Sequence, residues 1–146
     1  MEQDIVSDPS GVIAIVQRHA HREGPLLPIL HDVQTEFGCV DESAIRAIAL
    51  ALNLSRAEVH GVVSFYHDFR KQPEPRPVLK LCRAEACQAR GSEPLAEWAE
   101  AKAGGRIAIE PVYCLGLCSV GPNALIGGEV HARLDQPALG ALIEAL

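Results

Sequence analysis

The sequence predicts an α+β protein in two parts: a small N-terminal helical bundle over residues 1–72, then a small α/β sheet domain over residues 73–146. Three observations carry this. The first half places apolar residues at helical spacing, punctuated by caps and stops. Lys71 to Pro77 then reads Lys-Gln-Pro-Glu-Pro-Arg-Pro. Prolines this dense cannot continue a helix and favour an extended spacer. Beyond the spacer, strand-like and helix-like runs alternate.

In the first half, Ser10 is expected to cap a helix whose apolar residues Val12, Ile13 and Val16 lie near one face. Leu26, Ile29, Leu30, Val33 and Phe37 mark a second helix, with Gly38 as a natural stop. A third helix opens at Asp41 and buries Ile45, Ile48, Ala49 and Leu52. Ser55 followed by Glu58 has the spacing of a capping box, and the helix it opens runs through Val59, Val62, Val63 and Tyr66. Four short helices with short connections predict a small antiparallel bundle.

In the second half, Val78 to Leu81 reads as a strand. Ser92 is expected to cap a helix containing Leu95, Trp98 and Ala99, which Gly104 and Gly105 end. Arg106 to Tyr113 reads as a second strand. Ala124 to Ile126, Gly127-Gly128 and Glu129 to Ala132 form a strong hairpin signal. Leu139, Leu142, Ile143 and Leu146 mark a closing amphipathic helix. The order strand, helix, strand, strand, strand, helix is a βαβ unit followed by a hairpin and a helix. It suits a thioredoxin-like α/β sheet.

Composition excludes several classes of function. A formal charge of −6 argues against nucleic acid as a partner, because phosphate binding rests on clustered Lys and Arg. Met1 to Ser10 is polar and acidic, with no basic stretch leading into an apolar run, so no signal peptide is expected. No apolar stretch approaches the ~18 residues of a membrane helix. The five cysteines are therefore expected in a reducing compartment, where pairs more often mean metal or redox chemistry than structural disulfides.

Four of those cysteines form two pairs. Cys82-Arg-Ala-Glu-Ala-Cys87 is C-x4-C and Cys114-Leu-Gly-Leu-Cys118 is C-x3-C, with the 26 residues 88–113 between them. Each pair follows a predicted strand, and neighbouring strand ends lie only about 5–10 Å apart, so the two loops can close over one small object. A [2Fe–2S] cluster needs four thiolates, two on each iron, and its sulfurs need hydrogen-bond donors and shielding. Gly91, Gly116 and Gly121 are candidates to let backbone N–H groups approach, and Leu115 and Leu117 are candidates to shield. Structural zinc also takes four cysteines, though it favours C-x2-C knuckles. Disulfides or free core thiols are the third reading of the same spacing. The absence of C-x-x-C argues against a thioredoxin-type dithiol.

These residues resemble a known family: the thioredoxin-like [2Fe–2S] subunits of NADH-oxidising complexes, respiratory complex I among them. The matching stretches are Leu27-Pro-Ile-Leu-His31, Gln34-Thr-Glu-Phe-Gly38, Glu58-Val-His-Gly-Val-Val-Ser-Phe-Tyr66 and both cysteine pairs. The resemblance spans residues 10–146 and implies one [2Fe–2S] cluster on Cys82, Cys87, Cys114 and Cys118. Within the family, His67-Asp-Phe-Arg70 and Leu79 to Gly91 look most like the gamma subunit of cytoplasmic, NAD-dependent, molybdenum formate dehydrogenase. Complex I members differ inside the first cysteine pair and carry a longer connection between the pairs.

The resemblance also implies partners: a flavin- and NAD-binding beta subunit that holds FMN, and a molybdenum-containing alpha subunit that oxidises formate. FMN, NAD and the molybdenum cofactor are expected on those partners only, with this chain exchanging electrons with the flavin. The alternatives in the same chemistry are the equivalent subunit of an NAD-reducing hydrogenase or of complex I. A zinc-stabilised interaction module is the alternative from another class. No nucleophile–base pair, phosphate-cradling glycine loop or dinucleotide fingerprint occurs, so no catalytic residue is assigned to this chain.

Other residues have plainer readings beside functional ones. Cys39 is expected to be a small buried residue rather than a fifth ligand. His60 and His67, seven apart, would share a helix face, where packing or solvent competes with a partner contact. Glu85 either lowers the potential of a nearby cluster or is a solvated loop carboxylate. Arg83 and Arg90 face a partner or water. Trp98 is expected in the core.

Overall fold

A computed structural model of the chain describes residues 7–146. Residues 1–6, part of the stretch read above for a leader, lie outside the described residues. The fold is α+β, a helical region followed by a mixed four-stranded sheet with helices. It divides into two compact units, Met1–Pro73 and Glu74–Leu146. Among the described residues, no helix is long and apolar enough to cross a membrane.

The first unit contains four helices: α1 (Pro9–Arg18), α2 (Leu26–Phe37), α3 (Glu42–Leu52) and α4 (Arg56–Phe65). The cap of α1 is Asp8 rather than Ser10: the Asp8 carboxylate accepts the Gly11 N–H at 3.1 Å. Pro9 decides this, because its fixed φ and missing N–H suit the first helical position and leave the residue before it to cap. The buried face of α1 is Val12, Ile15 and Val16, with Ile13 only half-buried. Gly38 ends α2 at φ 78°, where its N–H donates to the Gln34 carbonyl at 2.8 Å. Asp41 caps α3, and Ser55 with Glu58 forms the complete capping box of α4.

The side chains of α1 to α4 meet in one apolar core with Val40 and Phe69. Gln34 clamps the segment leaving α4. Its amide nitrogen donates to the Asp68 carbonyl and its oxygen accepts the Arg70 N–H, each at 2.6 Å. Helix α4 stops at Phe65, and Tyr66 takes an extended conformation. His67 therefore lies beyond the helix, and the expected shared face of His60 and His67 does not form.

The second unit contains β1 (Val78–Cys82), α5 (Glu85–Gln88), α6 (Ser92–Ala103), β2 (Ala108–Val112), a 3-10 turn (Cys118–Val120), β3 (Ala124–Ile126), β4 (Glu129–His131) and α7 (Gln136–Ala145). The strand order is β2-β1-β3-β4, with β1 and β2 parallel and the other neighbours antiparallel. This is the expected βαβ unit plus hairpin and helix. The short α5 and the 3-10 turn, each carrying a cysteine, are not legible in the periodicity. Strand β2 is shorter than expected; it tolerates Pro111 because it is an edge strand.

Ser92 is the first residue of α6 rather than its cap. Gly91 precedes it at φ 88°, and the Ser92 hydroxyl is buried without a partner. Leu79, Leu81, Leu95, Leu139 and Ile143 anchor the core between the sheet, α6 and α7. Trp98 is half-buried at the margin of that core, where an added Cβ on Gly140 would stand 3.2 Å from its ring.

Candidate metal centre

Strand register builds the site. Cys82 pairs with Val112 at the ends of parallel β1 and β2, so the chain leaves both strands at the same end of the sheet. Because β3 runs antiparallel to β1, with Ala124 opposite Leu81, the start of β3 arrives there too. Cys82 is the last residue of β1, one further than the expected strand. Cys87 lies on α5, Cys114 two residues past β2, and Cys118 opens the 3-10 turn.

The four thiols come together as two linked pairs. Cys82 and Cys87 are buried and share a thiol hydrogen bond, whereas Cys114 and Cys118 are exposed with their sulfurs 3.5 Å apart. The pairs also meet across the two loops, since the Cys114 N–H donates to the Cys82 sulfur at 3.3 Å. The charge of Cys82 acts on Cys118, and that of Cys118 acts on Cys87.

Backbone conformation aims donors at these sulfurs. Cys114 and Gly116 both adopt φ 79°, the left-handed region, on either side of Leu115. For a non-glycine residue such as Cys114 this conformation costs on the order of 1–3 kcal/mol and persists where the surroundings enforce it. Its effect is a small anion-binding concavity. The N–H groups of Cys114 and Leu115 donate to the Cys82 sulfur, and that of Gly116 donates to the Cys114 sulfur at 3.3 Å.

Burial opposes ionisation of Cys82, but the Ala84, Cys114 and Leu115 N–H groups and the Cys87 thiol outweigh it and hold its pKa below the ordinary thiol value. Burial pushes the Cys87 thiol up, reinforced by neighbouring Cys82. The Cys118 thiol is raised chiefly by its contact with Cys114. Crowded thiols that oppose one another's ionisation are what an iron or zinc centre relieves by neutralising their charge.

The supporting residues sort themselves. Gly116 supplies a donor as expected. An added Cβ on Gly121 would stand 2.9 Å from the Cys87 sulfur, so a close approach requires glycine there. Gly91 serves the entry of α6 instead, and an added Cβ there would meet nothing within 4 Å. Leu115 is half-buried and Leu117 is exposed. Arg83 forms a two-pronged ion pair with Glu93 on the first turn of α6, with its Nε donating at 2.8 Å. Glu85 and Arg90 are exposed. Cys39 is buried in the other unit, where burial and then Asp41 raise its thiol pKa.

The sequence pattern missed Asn123. It is buried, and its amide nitrogen donates to the Leu117 carbonyl at 2.8 Å and the Cys87 sulfur at 3.7 Å. The antiparallel placement of β3 brings it there, which no local spacing reveals. Among the described residues, no three His, Cys, Asp or Glu side chains converge on a single-ion site. The thiols are paired two and two, with backbone donors around them, and this donor set suits two irons each taking two thiolates.

Fold and site together define a thioredoxin-like domain with a four-cysteine centre at one end of its sheet. Residues 12–146 match the thioredoxin-like [2Fe–2S] ferredoxin family, and the chain belongs to that family as an electron-transfer protein. It is 33% identical over 143 residues to a NADH-quinone oxidoreductase subunit of Escherichia coli (strain K12), covering 90% of this chain and 86% of that one. It is 25% identical over 132 residues to NADP-reducing hydrogenase subunit HndA of Solidesulfovibrio fructosivorans, covering 84% of this chain and 77% of that one. Among solved structures, a chain of the NAD+-reducing [NiFe]-hydrogenase in the H2-reduced state superposes with a TM-score of 0.68 at 28% identity. That match covers 82% of this chain but only 22% of the hydrogenase chain.

Proposed function

We propose that Cys82, Cys87, Cys114 and Cys118 hold one [2Fe–2S] cluster, and that the chain is an electron-transfer subunit of an NAD(P)H-linked oxidoreductase complex. The observation that carries this is the run of consecutive N–H groups, Cys114 to Gly116, directed at two of the four sulfurs. Such a cluster takes up and releases one electron at a time. The chain's own part is to hold four thiolates, supply their donors, bury one pair and present the other at the surface. An exposed outer pair suits exchange with a redox group on a partner. We take that group to be the FMN of a flavin- and NAD-binding subunit, with the chain acting in the reducing cytoplasm that its thiols require.

The test is anaerobic purification or reconstitution of the full chain. Two irons and two acid-labile sulfides per chain are expected. Dithionite reduction should produce an S = ½ electron paramagnetic resonance signal that Cys114→Ser alters or abolishes. A colourless protein with one zinc and no sulfide would replace this reading with the zinc-stabilised module.

The relatives favour a role like that of the matched NADH-quinone oxidoreductase subunit or the matching part of an NAD(P)-reducing hydrogenase. The sequence motifs taken alone favour formate dehydrogenase. That second reading retains support from His67 to Arg70, from Arg83-Ala-Glu-Ala within the first cysteine pair, and from the short connection between pairs. Affinity purification from the native host separates them. Nickel in the co-purified complex indicates hydrogenase, membrane subunits indicate the quinone oxidoreductase, and molybdenum indicates formate dehydrogenase with its alpha and beta subunits.

A further inference from the structure

We infer that Asn123 is a positioning residue that fastens the two cysteine loops to each other and, through Cys87, tunes the reduction potential of the centre. The inference rests on the reading of these cysteines as [2Fe–2S] ligands.

Four bonds converge on this residue, one of them from its own backbone N–H to the Cys87 sulfur. Its backbone carbonyl accepts the Cys82 N–H at 2.8 Å. Its side-chain amide donates to the Leu117 carbonyl at 2.8 Å, inside the Cys114–Cys118 loop, and to the Cys87 sulfur at 3.7 Å. The orientation of the amide is determined by chemistry: a carbonyl only accepts, so Nδ2 must face Leu117, and its second hydrogen is free for the sulfur. One residue thus touches the strand end that carries Cys82, the helix that carries Cys87 and the loop between the outer cysteines.

The other half of the amide separates a functional role from a packing role. Asn123 is 1% exposed, and its Oδ1 is buried without a partner. A buried acceptor left unpaired carries a desolvation penalty, and an apolar side chain of similar shape would avoid it. Packing alone therefore does not favour asparagine here. The donor half does, because a thiolate ligand becomes more electron-rich on reduction and a hydrogen bond to it stabilises that state. Loss of the donor should make the centre harder to reduce.

The test uses the full chain carrying its reconstituted cluster, with Asn123→Leu (no side-chain donor, the backbone N–H retained), Asn123→Ser (one shorter donor) and Asn123→Asp (near-isosteric). In folded variants the midpoint potential, read by spectroscopic redox titration, should shift to more negative values, and the reduced paramagnetic resonance line shape should change. Cluster loss to a chelator should be severalfold faster. Folded variants with unchanged potential, line shape and chelator sensitivity overturn the inference. If all three, Asn123→Asp included, fail to fold by circular dichroism, the role is purely structural and the inference is likewise overturned. A wild-type chain that takes up no iron and sulfide sinks the proposed function itself, a distinct outcome.

Discussion

The sulfurs of Cys114 and Cys118 stand 3.5 Å apart on the exposed side of the centre, while Cys82 and Cys87 are 1% and 2% exposed. Burial thus divides four chemically equivalent cysteines into an inner and an outer pair. In the cluster-free chain, a thiol reagent should reach the outer pair first, since reactivity needs access as well as thiolate. Timed iodoacetamide labelling with peptide mass mapping should show Cys114 and Cys118 modified several times faster than Cys82 and Cys87. Equal rates at all four would mean that the inner pair is not protected.

Gly121 faces the inner pair. Its missing side chain leaves room for the Cys87 sulfur, which an added Cβ would approach to 2.9 Å. Gly121→Ala should displace Cys87 and lower cluster occupancy severalfold, measured as iron and sulfide per chain. Gly61→Ala is the matching control, belonging to the first unit and having open space around the added Cβ. Full occupancy in Gly121→Ala would contradict the tight approach.

The same control makes a prediction of its own. Gly61 lies inside α4, is exposed and packs against nothing within 4 Å of its would-be Cβ. Alanine there restricts the unfolded chain and favours helix, which should stabilise the first unit by about 0.5–1 kcal/mol. Urea unfolding followed by circular dichroism reads this as a higher midpoint. A lower midpoint would show that the exposed glycine serves a contact in the folded chain.

The capping box of α4 predicts a pH dependence. The Ser55 hydroxyl accepts the Glu58 N–H at 3.2 Å, and the Glu58 carboxylate accepts the Ser55 N–H at 2.8 Å. Ser55→Ala should cost about 1 kcal/mol. Hydrogen bonds from the Ser55 backbone and then its hydroxyl hold the Glu58 pKa below the ordinary value of 4.5. A depressed carboxyl stabilises the fold above its unfolded pKa, and that contribution is lost as pH falls through the lower native value. Glu58→Gln should therefore flatten the decline in stability below about pH 4.5, the ordinary glutamate range. An unchanged acid limb in urea melts would remove the carboxylate from this role.

Much of the fold is legible in the sequence because its signals are local. The Ser55–Glu58 box, the Gly38 stop, the Asp41 cap and the Gly127-Gly128 hairpin each act within about four residues, the range over which caps and turns operate. Local rules fail where two signals compete. At α1 Pro9 moves the cap from Ser10 to Asp8, and at α6 Gly91 takes the entry position expected of Ser92. Helix α4 ends before His67, because Tyr66 turns extended to feed the segment that Gln34 clamps.

For the centre, the order of residues along the chain settles the two cysteine pairs, their position after strands, and hence that they can meet. Those facts follow from spacing and periodicity. Only the folded arrangement settles which thiols are buried, that Cys114 turns left-handed to aim N–H groups at sulfur, and that Asn123 reaches Cys87. The cause is strand register. Parallel β1 and β2 align Cys82 with Val112, and antiparallel β3 returns residue 123 to the same end of the sheet. Such neighbours are set by hydrogen bonds between strands distant in sequence, and no spacing along the chain encodes them.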